Sequence, residues 1–546
     1  MKLPVARVLS RFLREAGIEY VFGVSGHPLF DITDAIYQEP GLEFVPAQQE
    51  LAAAYMANAY ASAGRRPSAC MGSAGPGVTN LLTGVAEAWK EGVPLFAIGA
   101  DVENSVMGRG PSSWHELPQA EVMAPVTKLS RTLRDPNQVL DTLREAHCLM
   151  LSGRYGPIYL GFPPDVQEAE VEVPDGPWLT PLPKPAPADS AVIERAASEL
   201  AAAKAPVVLI GGGVHWSDAG SEVLALAELL AAPVATSHAD KGILSEEHSH
   251  VAGVAGYGGY AFADTAIKQA DLILAVGTTF SEGLTSRYGH RLIPEGVRIV
   301  QIDVEPAEIG KNYPAEIGIV GDAKQALSAL IEASRSRQQA NLPERQARLE
   351  RLGQAKRELF AEIARRGSAS GGPITHWHVE HQVRQALRSD ARVVAAGCTG
   401  EITSRFVAPE PVYQSGDFRA IGHGMCSAIG IKHALPERQV VTITGDGSFM
   451  MELAELATAS RTGYPDVVVV VDNAAYGGMK RDQVRHYDGH VIGVDLQLPD
   501  FEQLARAHSL YGRRVTTPAE LPRAIEEALA NPRPSLLDVV CPVEGM

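Results

Sequence analysis

A chain of 546 residues is too long for one hydrophobic core and implies roughly three domains of about 150–200 residues each. With 45% hydrophobic and 21% charged residues it has the composition of an ordinary soluble protein, and 65 acidic against 48 basic side chains give a formal charge of −17, which works against nucleic acid and anionic membranes as partners. The five cysteines form no Cys-x-x-Cys pair, no basic-then-apolar leader opens the chain, and no apolar run reaches the roughly 20 residues that span a bilayer, so a reducing, cytoplasmic location is expected.

Short apolar runs alternate with longer amphipathic stretches, the pattern of parallel α/β units. Early in the chain, Phe22-Gly23-Val24-Ser25-Gly26-His27-Pro28 ends in a glycine-rich turn. Glu43-Phe44-Val45-Pro46 reads as a short strand that leads through Ala47-Gln48-Gln49 into an alanine-rich helix with Glu50 at its start. A carboxylate there is favoured by the helix dipole by about 0.3–1 kcal/mol, which accounts for it without any function. The run Ala69-Cys70-Met71 precedes Gly72-Ser73-Ala74-Gly75-Pro76-Gly77-Val78-Thr79-Asn80. A proline-rich stretch from Pro174 to Pro187 reads as an extended linker.

The middle unit opens with Val207-Val208-Leu209-Ile210-Gly211-Gly212-Gly213 and later carries Gly277-Thr278-Thr279-Phe280 and Ile302-Asp303-Val304-Glu305-Pro306. A glycine-rich turn after one strand is weak evidence for a nucleotide. From Ser334 to Gly372 a charged helix-forming stretch passes into Gly367-Ser368-Ala369-Ser370-Gly371-Gly372, a second break. Three doubly wound parallel-sheet α/β domains are therefore expected, over 1–172, 188–333 and 373–546.

The last unit carries the sharpest pattern. Gly445-Asp446-Gly447-Ser448 directly follows Val440-Val441-Thr442-Ile443-Thr444, and Asn473 lies past a second run, Val467 to Val471, with only Asp472 between. The interval fits one turn, one helix and one strand, so both oxygen-bearing side chains emerge at the carboxyl ends of adjacent parallel strands, where such sheets bind ligands. Gly445 and Gly447 allow close backbone approach, and the segment from Phe449 to Arg461 reads as a helix whose amide groups face the turn, an arrangement suited to a phosphate. Asp446 and Asn473 offer only hard oxygen donors, which favours Mg²⁺ over zinc or copper, with diphosphate oxygens completing the shell.

Gly-Asp-Gly-Ser, a helix, a valine strand and Asp472-Asn473 together resemble the cofactor motif of thiamine diphosphate enzymes, most closely the acetolactate synthase and benzoylformate decarboxylase branch. The resemblance implies thiamine diphosphate and Mg²⁺ as cofactors, with Asp446, Asn473 and the carbonyl of Ala475 on the metal; Asp472 stands where the family usually has another asparagine. The segment from Gly72 to Asn80 resembles the family's Gly-Pro-Gly loop, and Glu50 then matches its catalytic glutamate. Sharing a proton with the pyrimidine N1′ would make the cofactor its own base, which requires a desolvated carboxyl whose burial outweighs the helix dipole. Ala420-Ile421-Gly422-His423-Gly424-Met425 resembles the segment that presses the two cofactor rings together, with Ile421 as the support and Gly422 allowing close approach. Gly397-Cys398-Thr399-Gly400 resembles the first diphosphate-side loop. Gly75, Gly400, Ile421, Gly422, Gly445, Gly447, Ser448, Tyr476 and Gly477 are thus expected at the cofactor beside Glu50.

In this branch Glu50 of one chain meets Asp446 and Asn473 of another, which implies a homodimer or homotetramer. Some members bind flavin in the central domain through an arginine near the Gly-x-x-Phe turn; Phe280-Ser281-Glu282-Gly283-Leu284-Thr285 lacks one, which argues against FAD. Two histidines mark the pocket as unusual: His27, where acetolactate synthases carry glycine, and His115, in Trp114-His115-Glu116-Leu117-Pro118-Gln119, where they carry glutamine; both are expected to transfer protons or bind a carboxylate. The tract from Tyr476 to Asp488 also resembles sulfoacetaldehyde acetyltransferase and would roof the reacting carbon. Its Lys480, Arg481 and Arg485 are either contacts to an anionic substrate or a solvated helix face. The implied activity is decarboxylation of a small anionic 2-oxo acid with carboligation. Gly26-His27-Pro28 and Leu117-Pro118-Gln119 keep a 2-hydroxyacyl-CoA or oxalyl-CoA lyase open, with an acyl-CoA substrate, and a catalytically inactive cofactor-binding subunit is a third reading, opposed by Glu50.

Overall fold

Alternate residues of the strand Pro206–Ile210 point into different cores: Val208 and Ile210 pack with one group of apolar side chains, Val207 and Leu209 with another. A strand buried on both faces must be an uninterrupted apolar run, as parallel sheets covered by helices on both sides require. The computed structural model describes residues 1–543 apart from 184 and 186, so two positions of the expected 174–187 linker and the last three residues lie outside the described residues. Three six-stranded sheets carry the fold, and within each every pairing is parallel. This is the doubly wound α/β class that the sequence pattern predicts. A two-stranded antiparallel ribbon, Lys2–Pro4 with Glu170–Glu172, ties the chain start to the end of the first sheet region.

Numbered in chain order within its own sheet, the first sheet (Tyr20–Gly23, Glu43–Pro46, Ser68–Gly72, Leu95–Ala100, Ser130–Thr132, Ile158–Phe162) has the spatial order 2-1-3-4-6-5. The last sheet (Arg392–Ala396, Val412–Tyr413, Val440–Gly445, Val467–Asp472, Tyr511–Val515, Ser535–Val540) has the same order. The central sheet runs 3-2-1-4-5-6. In each, the winding direction reverses beside the first strand, and the crevice opened at the carboxyl ends there is the natural ligand site. In the first sheet that edge holds the turns after Gly23 and Gly72; in the last it holds the turns after Ala396 and Gly445, next to the one after Asp472.

By internal packing the chain separates into two compact units, one of 1–184 with 420–437 and 449–466, the other of 185–419 with 438–448 and 467–546. In the first unit the helix Gly424–Ala434 lies against Glu50–Gly64, and a side chain at Gly430 would run into the Met56 carbonyl, so only glycine allows this crossing. In the second, the stretch read as a break after Ser334 contains a 26-residue helix, Leu342–Gly367, docked on the central sheet's helices. Its Arg345 is fully buried and donates to the carbonyls of Leu200, Ala201 and Leu230, each at 3.0 Å. These are terminal carbonyls of two helices, which lack partners within the helix and favour a cation.

Candidate active site

The three turns at the switch edge of the last sheet converge as the spacing predicts. Strand Val440–Gly445 pairs with both Arg392–Ala396 and Val467–Asp472, which sets Asp446 between Gly397 and Asn473. Asp446 is buried, and its carboxylate is held by the backbone: Oδ1 accepts from Gly447 N at 2.6 Å, Oδ2 from Asn473 N at 2.9 Å and Ala475 N at 3.3 Å. Burial pushes its pKa up and these amide bonds pull it down. Ala474 takes the left-handed conformation, φ 52°, that folds residue 475 back toward the carboxylate.

Asn473 Oδ1 is a buried oxygen with no hydrogen-bond partner among the described residues, a state that costs about 1–3 kcal/mol if nothing fills it. A hard cation is the group that such an oxygen, the Asp446 carboxylate and the Ala475 carbonyl fit. Cys398 lies near Gly445, and burial pushes its thiol pKa up. A side chain at Gly447 would strike the Tyr476 ring, one at Gly477 would come within 3.1 Å of Asn473 Nδ2, and one at Gly397 within 3.0 Å of Ser448 Cβ. The three glycines thus leave room for the Tyr476, Asn473 and Ser448 side chains where the turns meet. Gly400 follows in the helix Thr399–Arg405, near the Tyr257 hydroxyl.

In the first unit, Glu50 is the first residue of the helix Glu50–Gly64 and is 9% exposed. Its Oε2 accepts from Asn80 Nδ2 at 2.9 Å, and a methyl group on Gly77 would sit 3.1 Å from Oε1. The Gly72–Gly77 loop thus leaves room beside the carboxyl that any other residue would fill. Gly75, with φ 69°, caps the next helix; its N–H donates to Gln119 Oε1 at 2.6 Å, while Gln119 Nε2 donates to Ala100 O at 2.9 Å.

Models of three domains match the chain: the N-terminal TPP binding domain of thiamine pyrophosphate enzymes over residues 3–122, their central domain over 193–330 and their C-terminal TPP binding domain over 395–539. A probable acetolactate synthase large subunit of Methanocaldococcus jannaschii is 30% identical, covering 99% of this chain and 92% of the relative. The acetolactate synthase large subunits of Haemophilus influenzae (29% identical; 97% and 92% covered) and Parasynechococcus marenigrum (31%; 98% and 87%) are similar over the same extent. The chain belongs to the thiamine diphosphate-dependent enzymes. Among them it is acetolactate-synthase-like.

For a thiamine diphosphate enzyme the remaining residues fall as follows. Gly26 abuts Ser73, and Gly75 abuts the His115 backbone, so both histidine segments lie against the Gly72–Gly77 loop. The imidazoles themselves are exposed: the His27 ring lies tilted by 34° against Phe30 with centroids 4.7 Å apart, and His115 has φ 63°. Ile421 is 36% exposed, unlike the buried helix that follows it, and Gly422 packs against Met451 in the same unit. Two of the basic residues after the metal loop are already paired: Lys480 bonds Asp495 at 2.6 Å, and Arg481 lies 3.6 Å from Glu401. Both sit on the helix Gly477–His486, which has no buried residue, as a solvated helix face would. In the central sheet, a side chain at Gly213 would lie 2.6 Å from Gly277 Cα, so close packing of two loops accounts for that glycine.

Two features had no local signal. The expected Phe449–Arg461 helix is interrupted: one α-turn spans Asp446–Phe449, a 3₁₀ stretch Met450–Glu455, and an α-helix resumes at Leu456–Thr462. Within the 3₁₀ stretch, Glu455 accepts the N–H groups of Gln48 (2.9 Å) and Gln49 (3.1 Å), fixing the backbone that enters Glu50. Burial pushes the Glu455 carboxyl up, against hydrogen bonds from Thr458 and those two amides.

Proposed function

We propose that this chain binds thiamine diphosphate with Mg²⁺ and catalyses decarboxylation of a small 2-oxo acid followed by carboligation, the reaction type that the names of its relatives, acetolactate synthases, carry. The observation that supports this most is the buried, unpartnered Asn473 Oδ1 beside an Asp446 carboxylate that the backbone holds in place. Asp446, Asn473 and the Ala475 carbonyl would hold the metal, and the Gly397–Gly400 and Gly445–Ser448 turns would receive the diphosphate. Tyr476 and Gly477 would stand at the cofactor edge, and Ile421 with Gly422 and Gly75 would support its rings.

When bound, thiamine diphosphate supplies a carbon nucleophile for the substrate carbonyl and an acceptor for the electron pair that the departing carboxylate leaves. Glu50 would hold and return the proton at the pyrimidine N1′, its place fixed by Asn80 and by Glu455 through the Gln48 and Gln49 amides. Its burial keeps water from competing for that proton. His27 and His115 would move a proton at the substrate or bind its carboxylate. The active protein is then a homodimer or homotetramer in the cytoplasm, with Glu50 of one copy serving the Asp446 and Asn473 of another. The domain spans 1–172, 188–333 and 373–546 enclose the three matched ranges, which supports that division.

The test is the product spectrum of the purified enzyme with thiamine diphosphate, Mg²⁺ and a panel of pyruvate, benzoylformate and acyl-CoA substrates, read by mass. Acetolactate from pyruvate alone is the expected result. Cleavage of an acyl-CoA with no turnover of any 2-oxo acid would replace this reading by the lyase one.

A further inference from the structure

The turn that aims the metal-side oxygens is held from outside the motif. Asp472, Arg514 and Asp538 stand at the ends of three adjacent strands of the last sheet: Arg514 pairs with Asp538 across the ladder, and Asp472 pairs with Val540, two residues further along the same strand. Arg514 Nη1 meets Asp538 Oδ2 at 2.5 Å and Nη2 lies 3.4 Å from Asp472 Oδ2, while Asp472 Oδ1 accepts the Ala474 N–H at 3.2 Å. Asp538 is fully buried and Asp472 is 7% exposed. Burial, with Asp472 beside it, pushes the Asp538 carboxyl up, and the partly exposed guanidinium of Arg514 opposes this with donors to both acids.

We propose that Arg514 is a positioning residue for the divalent cation. By holding Asp472 toward Asp538 it keeps Asp472 on the Ala474 N–H, and so fixes the turn that carries Asn473 Oδ1 and the Ala475 carbonyl. The proposal rests on the metal-site reading above. Without Arg514 the Asp472 carboxylate loses the guanidinium that fixes its Oδ2, its Oδ1 is no longer held on the Ala474 N–H, and the oxygens lose their aim while strand pairing survives.

The experiment measures the Mg²⁺ concentration for half-maximal thiamine diphosphate binding, followed by quenching of protein fluorescence, together with the melting temperature of the cofactor-free protein. Arg514→Met raises the Mg²⁺ requirement by about 10- to 100-fold, the usual effect of losing a partner that orients a ligand. Asp472→Asn combined with Arg514→Met brings it back toward the parent value, because the amide oxygen keeps an acceptor for Ala474 N–H while the amide nitrogen donates to Asp538 in place of the guanidinium. A merely structural role would lower both melting temperatures and give no such recovery, which overturns the proposal. Should the methionine variant not fold, Arg514→Gln is read in the same way. An unchanged requirement in the Arg514 variant while Asn473→Ala raises it overturns the positioning role alone; an unchanged requirement in Asn473→Ala overturns the metal-site reading as well.

Discussion

The first and last sheets share one strand order, yet the carboxylates at their switch edges are held in opposite ways. Asp446 is bound by three backbone N–H groups, and the unsatisfied oxygen beside it belongs to a neutral amide, Asn473. Glu50 takes its one described hydrogen bond from a side chain, Asn80, and faces the bare backbone of Gly77. One scaffold therefore yields a carboxylate fixed by the amides of its own turns and another with open space beside it. The difference lies in whether the adjoining turn directs its amides at the acid or clears space beside it.

The sharpest way to break this contrast is Glu50→Gln. Turnover should fall by roughly 10²–10⁴-fold, the scale of general acid–base catalysis, with thiamine diphosphate still bound by calorimetry; unchanged activity would remove Glu50 from the mechanism. Asp446→Ala should act on the other side, abolishing Mg²⁺-dependent retention of the cofactor through gel filtration. Asn80→Ala deletes the one described bond to Glu50. At about 1.5–3 kcal/mol for a bond to a charged group, kcat should drop roughly 10- to 100-fold, with cofactor affinity little altered.

The smallest effect sharpens the account of the first unit. Burial pushes the Glu452 carboxyl up to about 7, against N–H bonds from Cys426 and Met425. The folded state thus binds this proton more tightly than the unfolded chain, so the group's contribution is best at low pH and declines as pH rises from about 4.5 to about 7. Glu452→Gln should therefore melt above the parent at pH 8, by at most roughly 3 kcal/mol, with the gap closing near pH 4.5. No gap at pH 8 would mean that water reaches the carboxylate.

What the sequence made legible follows from burial. Strands such as Val467–Asp472 are covered on both faces, so their apolar runs are unbroken and the turns after them are easy to place; Asp446 and Asn473 lie at the ends of paired strands for that reason. Contacts between distant segments left no such trace. Glu455 reaches the Gln48 amide across 407 residues, and nothing near either position announces it. The same holds for Arg514, an unremarkable strand arginine until pairing sets it against Asp538, and for Arg345, whose helix-forming stretch reads only as part of a break until its guanidinium is seen on three helix-end carbonyls. The partners of two basic residues in the tract after Asn473 likewise lie outside it, Lys480 with Asp495 and Arg481 with Glu401.

That Glu50 and the Asp446–Asn473 pair serve a single cofactor held between two copies is tested most directly by complementation. Glu50→Gln and Asp446→Ala chains, each inactive alone, are co-expressed with different tags and purified through both. A mixed dimer then carries one doubly altered site and one intact site, and should recover about half of the parent activity. No activity in the mixed protein, with both chains folded and present, would contradict a site shared between copies.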